Sequence, residues 1–122
     1  MISGLIIAHK CLGESLLAAL EAISGHPDSI ESLSNDNMST SQLVTRIQEF
    51  SGNVKNGMLL FVDVYGGSCW RAAKMSKTEN THIITGVNLP MLLSFINKRD
   101  KIALDELPSI LEHDSKRGIV PE

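Results

Sequence analysis

Four short apolar runs, each separated from the next by a stretch of helical periodicity, constrain this chain more than any other feature. Leu5-Ile6-Ile7-Ala8 and Met58-Leu59-Leu60-Phe61-Val62 are continuous, the pattern of strands buried on both faces of a sheet. The second is entered through a turn at Asn56-Gly57, a strong turn dipeptide. Ser29-Ile30-Glu31-Ser32-Leu33-Ser34 alternates, which suits a half-buried strand at a sheet edge. His82 to Val87 is a fourth candidate of intermediate character.

Between these runs lie helical stripes. Leu12, Leu16, Leu17, Leu20 and Ile23 form one, stopped by Gly25 and Pro27, and Leu43, Val44, Ile47 and Phe50 form a second, stopped by Gly52. Ser39 stands three residues before Gln42 as a capping box. A third helix begins near Ser68 and carries Ala72, Ala73 and Met75; a fourth runs from Asn88-Leu89-Pro90 through Ile96; a fifth runs from about Asp105 to His113, with Leu107, Ile110 and Leu111 inward. Asn88 is the expected N-cap of the fourth, with Pro90 in its first turn. The order β-α-β-α-β-α-β-α-α predicts an α/β fold, a parallel sheet with helices on both faces joined by right-handed crossovers.

Composition narrows the class. The 122 residues are the size of one domain, expected to span 1–122. With 43% hydrophobic but only 4% aromatic residues, the core must be aliphatic. A net charge of −3 and the lack of any basic stripe argue against nucleic-acid binding. No apolar run approaches the roughly 20 residues that span a bilayer, and the N-terminus lacks the basic flank and long apolar core of a secretory signal. A cytoplasmic protein with two reduced cysteines, Cys11 and Cys69, is expected.

In an open parallel sheet, ligands bind beyond the carboxyl ends of the strands. His9 follows the first strand, Asp63, Tyr65 and Gly66-Gly67-Ser68 follow the third, and Asn88 and Pro90 follow the fourth. If the two most apolar strands are central neighbours, His9 and Asp63 face one crevice. A carboxylate bonded to one ring N–H fixes the imidazole tautomer and frees the other nitrogen to attack. Gly66-Gly67-Ser68 would open a helix whose first amides and dipole favour an anion. Each residue also has a plain structural reading, as turn, cap or backbone hinge. Their convergence favours phosphoryl transfer through phosphohistidine, whereas no GxGxxG or Walker loop supports nucleotide binding.

On the strand ending in His9, on Val62-Asp63-Val64-Tyr65-Gly66-Gly67-Ser68 and on Gly86-Val87-Asn88-Leu89-Pro90-Met91-Leu92, the chain resembles the mannose-family enzyme IIA component of the bacterial sugar phosphotransferase system. The resemblance implies a sheet of order 2-1-3-4. It also implies that His9 accepts a phosphoryl group from HPr and passes it to a IIB component, which serves a IIC/IID membrane permease. Asp63 would hold the Nδ1 side of His9, directing phosphorylation to Nε2, and Ser68 with the amides around Gly66 and Gly67 would hold the phosphoryl oxygens. Family members are commonly homodimers with an added C-terminal strand, which here could use only Gly118-Ile119-Val120. Tyr65 and Trp70, flanking the loop, are the candidate partner-docking residues.

Two substitutions depart from the family pattern. Lys10 stands where Gly usually follows the histidine, and is expected to point to solvent; Cys69 stands where Pro usually follows Gly-Gly-Ser. His9, Cys11, Cys69 and Asp63 include zinc-ligand types, but two ordinary helix-start cysteines are the simpler reading, and no metal or organic cofactor is expected. His26, His82 and His113 are assigned no role. Two alternatives stand beside the transport reading: a regulatory module phosphorylated as a signal, which a chain without a fused IIB domain leaves open, and a phosphoryl-donor subunit related to that of dihydroxyacetone kinase. Sugar identity would reside in membrane components.

Overall fold

The computed structural model describes all 122 residues. The elements are β1 (Ser3–Ala8), α1 (Leu12–Ser24), β2 (Ile30–Ser34), α2 (Thr40–Gly52), β3 (Met58–Val62), α3 (Ser68–Met75), β4 (Thr81–Thr85), α4 (Leu89–Lys98) and α5 (Leu107–Arg117). The four strands form one sheet of order β2-β1-β3-β4, parallel at every pairing. The apolar runs are the central strands, where every residue from Gly4 to Ala8 and from Met58 to Val62 is buried. The alternating run is edge strand β2, with Ile30 and Leu33 buried and Glu31 exposed.

Burial on both sides follows from the strand period of two. Ile6, Ala8, Leu59 and Phe61 point to the face covered by α1, α4 and α5, where Leu20, Met91, Leu92, Phe95, Leu107 and Leu111 complete one core. Leu5, Ile7, Leu60 and Val62 point to the other face and meet Leu43 and Ile47 of α2 and Cys69, Ala72 and Ala73 of α3. Phe61 and Phe95 pack edge to face with ring centroids 5.0 Å apart. Gly4 makes this pairing possible, because a methyl group there would lie 3.0 Å from the Phe95 ring and 3.1 Å from that of Phe61.

The expected capping signals are present. Ser39 Oγ accepts the Gln42 amide while the Gln42 side chain accepts the Ser39 amide. Asn88 Oδ1 accepts the Met91 amide at 2.9 Å, so Asn88 serves as the cap of α4. Departures from the sequence reading lie at element ends. Leu12 and Ile23, at opposite ends of the α1 stripe, are 42% and 59% exposed, and the stripe buries Leu20 most deeply. Residues 118–122 form no strand against their own sheet, and Ile119 and Val120 are exposed. No helix is long and apolar enough to cross a membrane.

Candidate functional site

The order 2-1-3-4 places the topological switch point between β1 and β3, since the chain leaves β1 toward one edge and returns on the other side. Ile7 pairs with Val62, and the Asp63 amide donates to the Ile7 carbonyl at 3.3 Å. The residues that follow, His9 and Asp63, therefore emerge side by side. His9 Nδ1 lies 2.6 Å from Asp63 Oδ2, which also accepts the His9 backbone amide at 2.9 Å. The other carboxylate oxygen accepts the Val64 amide at 2.9 Å.

The Asp63 side chain is 6% exposed and that of His9 49%. Burial pushes the Asp63 carboxyl up, but the hydrogen bonds from the His9 ring and amide outweigh it and hold the group below its ordinary value. An ionised carboxylate only accepts. Nδ1 must therefore carry the proton of the short bond, which leaves the lone pair of a neutral imidazole on Nε2.

Gly66-Gly67-Ser68 lies against that ring: a methyl group on Gly67 would be 3.8 Å from His9 Cε1, the carbon between the two nitrogens. Gly66 has φ +84°, a left-handed conformation that permits the tight turn. Gly67 is the N-cap of α3 and has no side chain to offer. The first-turn amides of α3 have no partner inside the helix and no side-chain cap, so they are available as donors for an anion. Ser68 is exposed at the start of this turn, and its Oγ accepts a hydrogen bond from Asn35 Nδ2 at 3.1 Å.

Asn35 is the site residue that inspection of the sequence missed. The rule that singled out the residues after β1, β3 and β4 would have selected it as the first residue after β2. An edge strand followed by a short polar loop reads as plain surface in the sequence.

The two cysteines separate. Cys69 is fully buried and its Sγ lies 3.9 Å from His9 Nδ1, whereas Cys11 is exposed. Burial, reinforced by the Asp63 charge and eased by a hydrogen bond with Ser68, pushes the Cys69 thiol up to about 11. His9, Asp63 and Cys69 have donor atoms within 4.8 Å of one another, and Cys11 is not among them. A metal held by these three groups would have to displace the proton shared by His9 and Asp63 and ionise a buried thiol. Of the four zinc-ligand types noted in the sequence, Cys11 thus stands outside the cluster.

Lys10 points to solvent, as expected: its side chain is 83% exposed and its Nζ lies 3.5 Å from Asp36, leaving Asp63 to His9. Its backbone adopts φ 55°, a left-handed conformation that disfavours a side chain by about 1–2 kcal/mol. The exposed ion pair is worth less than about 1 kcal/mol. Lys10→Gly is therefore expected to stabilise the fold by up to about 0.5 kcal/mol after both the lost ion pair and the extra unfolded-state freedom of glycine are deducted. Urea unfolding checks this, and a destabilised variant would contradict it.

Tyr65 is 73% exposed and its ring lies 5.0 Å from that of half-buried Trp70. Val64, beside it, is 56% exposed. These side chains make an apolar rim next to His9. A groove of about 710 Å³ begins at Tyr65 and Trp70 and runs along the outer edge of β4, past His82 and Ile84, to Pro108 and Lys116 of α5.

Fold and site together define a doubly wound parallel domain with an aspartate-bonded histidine at its switch point, facing an uncapped helix N-terminus. Residues 4–111 match the family model EIIA-man, described as the PTS system fructose IIA component. The chain belongs to this family of phosphotransferase-system enzyme IIA components. It is 28% identical over 117 residues to the mannose-specific EIIAB component of Escherichia coli K12, an alignment covering 91% of this chain but only 36% of that longer protein.

Among solved structures, the phosphotransferase system component EIIA of Streptococcus agalactiae has the same fold, with a TM-score of 0.91 at 24% identity, over 99% of this chain and 97% of the other. The mannose/sorbose-specific IIA subunit of Enterococcus faecalis superposes with a TM-score of 0.85 at 19% identity, over 99% and 94% of the two chains.

Proposed function

We propose that this chain is a phosphocarrier subunit that accepts a phosphoryl group from HPr on His9 and passes it to a IIB component during sugar uptake. The observation that carries this reading is the 2.6 Å contact of His9 Nδ1 with the buried Asp63 carboxylate, which leaves Nε2 as the free nucleophile. In the forward step the Nε2 lone pair forms the bond to phosphorus as the bond from phosphorus to the donor atom of HPr breaks. The donor atom leaves with that electron pair. His9 gains positive charge, which the Asp63 carboxylate beside Nδ1 stabilises.

Phosphoryl oxygens would take hydrogen bonds from Ser68 and from amides around Gly66 and Gly67. Such donors, fixed before the reaction, stabilise the charge of the moving group without reorganising. Onward transfer to IIB is the same step reversed on a different acceptor, so the site needs only to hold the group and expose it. No organic cofactor enters this scheme.

Tyr65, Trp70 and Val64 form the rim on which HPr and IIB would dock in turn. Transient partners of this kind use small interfaces with a few aromatic anchors. A IIC/IID permease would then be served indirectly, through IIB. The open edge of β4 and the exposed Ile119 and Val120 support a homodimer, which sedimentation would reveal as a doubled mass.

The test is to incubate the protein with phosphoenolpyruvate, enzyme I and HPr, then to weigh it intact. An acid-labile gain of one phosphoryl group, dependent on HPr and discharged by the cognate IIB, is the expected result. A protein that stays unmodified would overturn the reading. One that is modified but never discharged by IIB would instead favour a regulatory module.

A further inference from the structure

We infer that Asn35 is a positioning residue for phosphoryl transfer, acting through the hydroxyl of Ser68; the inference rests on the phosphocarrier reading. A serine hydroxyl has one proton to donate and two lone pairs to accept with. Asn35 Nδ2 donates to Ser68 Oγ at 3.1 Å and so occupies one lone pair. An N–H donor turns the hydroxyl proton away from itself. The proton is then left for an acceptor on the other side: the neighbouring Cys69 sulfur at rest and, once His9 carries a phosphoryl group, an oxygen of that group, which is the stronger acceptor.

The placement of Asn35 is built into the backbone. Its amide donates to the carbonyl of Ala8 at 3.3 Å, the residue directly before His9, and its own carbonyl accepts the Met38 amide at 3.2 Å. The next residue, Asp36, bonds through its amide to Ser34 Oγ at 3.1 Å and faces Lys10 at 3.5 Å. The loop after β2 is thereby pinned to the chain on both sides of His9. One residue thus joins three strand ends: β2 by sequence, β1 through Ala8 and the turn after β3 through Ser68.

The amide of Asn35 is also suited to the charge. A carboxylate at the same place would accept the Ser68 proton and set a negative charge beside an anionic group. Asparagine supplies a fixed donor with no net charge.

Two variants and a double-mutant cycle test this, with phosphoryl transfer from phosphorylated HPr followed in single turnovers. Asn35→Ala is expected to slow transfer about threefold to tenfold, the worth of one hydrogen bond, with the concentration of HPr giving half-maximal rate unchanged. In a Ser68→Ala background the same change should have almost no further effect, since coupled residues are not additive. Asn35→Asp, which keeps the size and reverses the polarity, should be slower than Asn35→Ala.

Equal slowing by Asn35→Ala in both backgrounds would overturn the inference, as would Asn35→Asp transferring at the wild-type rate. His9→Ala is carried alongside. Label that survives it would remove the phosphocarrier reading itself, and an additive cycle on a His9-dependent label would remove only the role of Asn35.

Discussion

His9→Ala is expected to take up no acid-labile phosphoryl label from HPr, whatever the time or concentration. The argument is one of position. Of the four histidines, only His9 stands at the switch point. His26 lies at a surface turn, 76% exposed and 3.6 Å from Glu21. His82 is on edge strand β4, and His113 lies within α5. None of these three is paired with a buried carboxylate or borders Gly66-Gly67-Ser68. His9 is half-exposed and its side chain contributes little to the core, so the variant should still fold, with a lower melting temperature that reflects the lost bond to the buried Asp63 carboxylate. A label remaining on His9→Ala, measured by intact mass before and after acid treatment, would show that another residue carries the phosphoryl group.

Asp63→Asn is expected to slow phosphoryl transfer by about 100-fold or more, the range associated with losing a positioned proton partner. The substitution keeps the size of the side chain, and its amide can donate to Nδ1 where the carboxylate could only accept. The ring proton would then move to Nε2 and block the nucleophile. The variant also removes the negative charge that offsets the positive charge developing on His9. Single-turnover transfer from phosphorylated HPr measures the effect. A rate within twofold of wild type would show that the bond to Asp63 does not orient the nucleophile.

The same residue links stability to pH. The folded-state value of Asp63 lies below its ordinary 3.8, so its ionised form stabilises the fold above that ordinary value. The contribution is lost as pH falls through the lowered folded value. The stability difference between wild type and Asp63→Asn should therefore narrow in acid relative to neutral pH.

Much of this was legible because the sheet is parallel and buried on both faces. Every residue of Met58–Val62 is buried, so the run reads as a central strand without ambiguity, and the turn and cap residues around it mark the element ends. The site followed from topology, since the first residues after two central strands cannot avoid the same crevice. Cys69 and Cys11 show what spacing alone could not decide. Both sit near helix starts, but Cys69 follows the helix cap and turns inward to pack on the sheet, whereas Cys11 follows the left-handed Lys10 and is left exposed.

The periodicity of α1 likewise marked a face without showing where the neighbouring elements end, so Leu12 and Ile23 fell outside the core. Asn35 was hidden for a further reason. Its role depends on a side-chain contact across 33 positions, and no local pattern encodes it.

The most direct test of the central claim is which ring nitrogen of His9 bears phosphorus. Long-range proton–nitrogen NMR of the freshly phosphorylated protein distinguishes the two positions. Nδ1 is engaged by Asp63 at 2.6 Å, so the expected result is phosphorus on Nε2, with Nδ1 still protonated and bonded. Phosphorus on Nδ1 would contradict the account, because the Asp63 bond would then have to break for the reaction to occur.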